Sequence, residues 1–128
     1  MLELRYMDSL NEKFEKEVRL VIAAMESERG ENELAKYLRP LVEEVARKYI
    51  DGYTKKFSLP LTEEQDREAF LAGWKLFHFG VKKYYEHIDE MKERGSEKYD
   101  FSEYMTWFIK QGVHEYLREL KEKRNGAV

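Results

Sequence analysis

The hydrophobic positions of this chain fall into four stretches stepped by three and four residues, the spacing of helices that each bury one face. In the first, Leu10, Phe14, Val18, Val21, Ile22 and Met25 share a side. Ser9-Leu-Asn-Glu12 has the form of a capping box, and Gly30 reads as the end of that helix. The second begins near Asn32 and carries Leu34, Tyr37, Leu38, Leu41, Val42, Val45, Ala46 and Tyr49. Pro40 inside it predicts a kink or a fresh start, and Gly52 predicts a stop. A loop with Lys55, Lys56 and Pro60 then reaches Leu61. Thr62-Glu-Glu-Gln65 is a second capping box, followed by Phe70, Trp74, Phe77, Val81, Tyr84, Ile88 and Met91. That stripe predicts one long helix to Lys92, closed by a Gly95-Ser96 turn.

The fourth stretch runs from Tyr99 to Leu120, with Ser102 as N-cap and an apolar stripe of Met105, Phe108, Ile109, Val113, Tyr116, Leu117 and Leu120. The pattern as a whole predicts an all-α fold: a compact bundle of four main helices in a single helical domain over residues 1–128.

The face of the last helix opposite its stripe changes the picture. Tyr104, Trp107, Gln111, His114 and Arg118 lie together there. Solvated faces are normally Glu, Lys and Arg. This one either packs Trp107 against another part of the chain or offers a stacking platform for unpaired bases.

The run YDFSEYMTWFIKQGVHEYL resembles the promoter-melting helix of region 2 in bacterial sigma factors of the sigma-70 family, whose pattern is roughly F-S-x-Y-x-x-W-W-I-R-Q. Phe101, Ser102, Tyr104, Trp107, Ile109 and Gln111 stand in its places, with Phe108 for the second Trp and Lys110 for the Arg. LVEEVARKY at residues 41–49 resembles the opening helix of that region. AFLAGWKLFHFGVKKYY resembles its polymerase-docking helix, with Gly73 at a family glycine, Gly80 at a small position and Tyr84 at the usual Phe. Leu71 and Ala72 replace the family's Gln-Glu pair.

The resemblance covers residues 34–120, leaving 1–30 as an additional N-terminal helix. It implies a divergent sigma region 2, either stand-alone or truncated, without the downstream helix-turn-helix. By resemblance, the chain would be a transcription initiation factor domain, and the absence of a signal-like start in MLELRYMDSL makes a cytoplasmic protein the expectation. It would bind the clamp coiled coil of RNA polymerase core through Leu71, Ala72, Lys75 and His78. It would engage the single-stranded minus-ten promoter element through Phe101, Tyr104, Trp107, Phe108, Lys110, Gln111, His114 and Arg118. Tyr104 would stack on a flipped base, with Phe101 completing its pocket. Trp107 and Phe108 would wedge against the last pair, Gln111 and His114 would read an edge, and Lys110 and Arg118 would meet phosphates. Helical periodicity also puts Phe108 on the core stripe, where its role is structural. The rival reading is a helical adaptor on the same scaffold that binds protein and no DNA.

Charge bounds both readings. With 23 Lys and Arg against 26 Asp and Glu, the net charge is −3, unlike the basic surface of a stand-alone nucleic-acid binder. There is no cysteine, so disulfides and thiolate metal sites are excluded. No apolar run is long enough to span a membrane. His78, His87 and His114 end no E-x-x-H, and His114-Glu115 leads to Arg118 where a zinc protease has histidine. The adjacent pairs Glu43-Glu44 and Glu63-Glu64 diverge by ~100° on a helix. Catalysis, metals and cofactors are therefore not expected.

Overall fold

The computed structural model describes the backbone of residues 2–93 and 100–126, with side chains from residue 12 on except those of 91 and 92. The fold is all-α: α1 (Leu2–Glu26), α2 (Glu28–Lys56), α3 (Glu63–Ala72), α4 (Phe77–Glu93) and α5 (Phe101–Gly126). Four of these have 17 residues or more, and α3 has 10. Among the described residues no helix is long and apolar enough to cross a membrane. The predicted turn at Gly95-Ser96 and the side chains of Ser9, Leu10 and Met91 lie outside the described residues.

The described residues of the apolar stripes are buried or half-buried except Met25, which is exposed, and the helix ends differ from the pattern. Ser9 lies within α1, which starts seven residues earlier, at Leu2. Gly30 belongs to the first turn of α2, and Ser27 alone separates the two helices. Ser27 caps α2: its hydroxyl accepts from the Gly30 N–H at 3.0 Å and its carbonyl from the Glu31 N–H at 3.0 Å. Only glycine fits at residue 30, because a Cβ there would lie 2.1 Å from the Ala23 carbonyl oxygen. The second helix runs on through Pro40 and Gly52 to Lys56. It stops in a Schellman motif: the Leu59 N–H reaches back to the Thr54 carbonyl at 2.9 Å, and Ser58 takes the left-handed conformation at φ 47°.

The long helix predicted over 62–92 is two helices. Thr62 and Gln65 form the predicted capping box of α3. Beyond it, the N–H groups of Gly73, Trp74, Lys75 and Phe77 each bond three residues back, at 3.0 to 3.1 Å. Such 3₁₀ bonding tightens the chain to three residues per turn and breaks the α register.

The chain divides into two compact units, each drawn from two separated segments. The first comprises Met1–Leu38 and His78–Met105. Val18, Val21, Leu34, Leu38, Tyr84 and Met105 are buried in it. The second comprises Arg39–Phe77 and Thr106–Val128, with Val42, Ala46, Ile50, Ile109, Val113 and Leu117 buried. There Arg47 makes two parallel bonds to Asp66, at 3.0 and 2.7 Å, tying α3 to α2. The Arg47 guanidinium holds the Asp66 carboxyl below the usual carboxylate range. A Cβ at Gly112 would sit 2.1 Å from the Ala72 carbonyl oxygen, so α5 meets the end of α3 backbone to backbone.

Candidate functional site

In the first unit, α5 starts under control of α1. Asp100, not Ser102, is the N-cap: its carboxylate accepts from the Glu103 N–H at 2.8 Å. A carboxylate at this position also meets the positive end of the helix dipole. Ser102 lies inside the first turn. Its N–H donates to Glu17 at 3.3 Å and its hydroxyl donates to the other oxygen of that carboxylate. Glu17 is fully buried, and Lys13 pairs with Asp100 at 3.1 Å beside it. Burial and a hydrogen bond to Glu17 push the Tyr37 phenol up to about 12. These contacts fix where α5 begins.

The predicted DNA-binding residues separate by burial. Phe101 is fully buried, edge-on to Tyr84 with ring centroids 5.3 Å apart. It has no exposed surface of its own, so any part it plays in a pocket is through the rings it packs against. Tyr104 is half-buried and also edge-on to Tyr84, at 5.4 Å. Burial, then the Glu86 charge, raises its phenol above the ordinary value.

In the second unit Phe108 is buried, as its place on the stripe implies, and Trp107 stands perpendicular to it at 5.0 Å. Trp107 itself is 58% exposed. Lys110, Gln111 and Arg118 are exposed and His114 is half-buried. Trp107, Gln111 and Arg118 of that face are thus left exposed, whereas Tyr104 and His114 are half-buried.

The predicted polymerase-binding residues also differ. Leu71 at the end of α3 is 63% exposed, the highest value among the described large hydrophobic side chains, and Ala72 is half-buried. Lys75 pairs with Glu115 at 3.1 Å. In the first unit, the exposed His78 lies 3.2 Å from Glu31. Trp74, expected in the core, is half-buried, with its ring edge-on to the buried Phe77 at 5.4 Å.

One feature was missed from sequence. Tyr49, Tyr53 and Phe57 follow one another at four-residue steps along α2, with centroids 6.2 and 4.6 Å apart. His114 of α5 stands edge-on to both tyrosines, at 5.9 and 5.7 Å, and its Nδ1 is 2.6 Å from the Tyr49 hydroxyl. With Gly52 they line an open groove of about 350 Å³. Burial, then the charge of Tyr53, raises the Tyr49 phenol above its ordinary value. The four-residue aromatic spacing was a usable signal, but reading Gly52 as a helix end assigned Tyr53 and Phe57 to a loop.

Compared with protein-family models, with curated proteins and with solved structures, the chain matches none.

Proposed function

We propose that the chain is a sigma-like transcription initiation domain that engages unpaired promoter DNA through α5 while held by RNA polymerase core. The observation that carries this reading is the exposed Trp107 on a helix face shared with Gln111 and Arg118. A large aromatic left in water marks a contact surface. Unpaired bases offer π-faces to it, whereas a closed duplex hides them. Gln111 and His114 supply groups for a base edge, and Lys110 and Arg118 supply charge for phosphates. Leu71 is the apolar group offered to the polymerase.

The test is fluorescence anisotropy of a labelled single-stranded minus-ten-like oligonucleotide, with core polymerase present. Trp107→Ala should weaken binding by about tenfold, since stacking contributes ~1–3 kcal/mol per base. Its melting temperature should stay near that of the parent, because an exposed side chain contributes little to packing. Unchanged oligonucleotide binding with intact polymerase binding would favour the protein-binding adaptor, the reading that the exposure of Leu71 supports independently.

A further inference from the structure

We propose that the α2–α5 groove of the second unit is a nucleotide site, taking one base against its aromatic walls and the attached phosphate against its lysines. The nucleotide is either free or a link of a single strand. This goes beyond the Trp107 reading and needs only the groove.

Size comes first. At about 350 Å³ the groove is at the low end of small-ligand sites, which run ~300–1,000 Å³, so it suits one nucleotide unit. The walls are aromatic: Tyr49 is half-buried, Phe57 is 38% exposed, and the buried Tyr53 lies between them along the helix. The Tyr49–His114 hydrogen bond fixes two of these rings before any ligand arrives. A fixed wall loses little entropy on binding.

Charge then selects the ligand. Lys48 and Lys56 line the groove, and no carboxylate does. Lys121 of α5 sits over the Phe57 ring at 3.9 Å. Among the described residues Lys56 and Lys121 have no carboxylate partner, whereas Lys48 pairs with Glu44. An aromatic cage for a quaternary ammonium would not be rimmed by ammonium groups, because like charges repel. A planar anion satisfies both the rings and the lysines. The His114 imidazole, which also lines the groove, adds a polar group for a base or phosphate.

Gly52 is the independent observation. Glycine inside a helix weakens it, and such a glycine commonly has a packing reason. Here there is none: nothing lies within 4 Å of where its Cβ would be. Gly52 lines the groove, and what its missing side chain leaves is open space there.

The test uses the full chain, titrated by calorimetry with adenosine monophosphate in one arm and short oligothymidylate in the other. Either ligand should bind, and Gly52→Leu should weaken that binding by about tenfold or more while keeping or raising the melting temperature. The double variant Lys56→Gln/Lys121→Gln, which leaves the helix faces intact, should weaken it too and flatten its salt dependence. Binding of the monophosphate identifies a free nucleotide, and binding of the oligonucleotide alone identifies a strand. If neither binds, or if a polyglutamate peptide binds instead, the proposal is overturned. It is also overturned if Gly52→Leu binds like the parent. In that last case, loss of oligonucleotide binding in Trp107→Ala would leave the reading of the α5 face standing.

Discussion

At Tyr84 a fully buried phenol has, among the described residues, no hydrogen-bond partner for its hydroxyl. Its ring is held edge-on by Phe101 and Tyr104, so the polar atom is carried inside by the packing of the aromatic body. An unsatisfied buried hydroxyl costs ~1–3 kcal/mol. Tyr84→Phe keeps the ring contacts and should raise stability by about 1 kcal/mol, seen as a melting temperature a few degrees higher. The phenol is raised far above its ordinary value by burial, then by the charges of Glu17 and Asp100. A raised folded-state pKa means that this group's stability is full below the unfolded phenol value of ~10 and is lost as pH rises beyond it. The variant should therefore also lose less stability than the parent in alkaline thermal melts. A lower melting temperature at neutral pH would show that the hydroxyl has a partner after all.

At the scale of elements, the interiors of the helices were legible and their ends were not. Burial at residues 34, 38, 42, 46 and 50 of α2 follows from the spacing of apolar residues, which depends on the sequence alone. The start of α5 depends on Glu17, which lies 85 residues away from Ser102 and cannot be read from the local motif. Extending the α5 stripe back one turn from Met105 would have placed Phe101 in the core. Helical position put Trp107 and Gln111 opposite the stripe, but whether another part of the chain covers Trp107 is decided only by the structure, where both are exposed. Glycines divide the same way. Gly52, which reads as a helix stop, and Gly112 both lie inside helices, yet only structure shows that one faces open space and the other a carbonyl. Gly112→Ala must separate α5 from the end of α3 and should cost ~1–3 kcal/mol, as overpacking does. Gly52→Ala should add up to ~1 kcal/mol through helix propensity. Urea melts of the two variants check this directly, and a Gly112→Ala protein as stable as the parent would mean that the close approach of α5 to Ala72 is wrong.

For the whole molecule, charge decides what kind of nucleic-acid contact is possible. Duplex binding is driven by counterion release, which needs several cations placed along the phosphates. The net charge is −3. Several of the cations of the second unit are already engaged: Arg47 by Asp51 and Asp66, Lys75 by Glu115, and Arg124 with the Gln65 side chain. Lys110 and Arg118 remain on the α5 surface, with Lys56 and Lys121 at the groove. Two or three phosphate contacts give a shallow salt slope and weak binding, so the aromatic groups must supply most of the affinity, and they act only on unpaired bases. The chain without polymerase should therefore fail to retard a duplex promoter fragment at physiological salt. It should favour a single strand of the same sequence, and the slope of log affinity against log salt should correspond to about two or three phosphates. Tight duplex binding with a steep salt slope in a mobility-shift titration would refute this. It would mean that lysines engaged by carboxylates in the free protein exchange those partners for phosphate on binding.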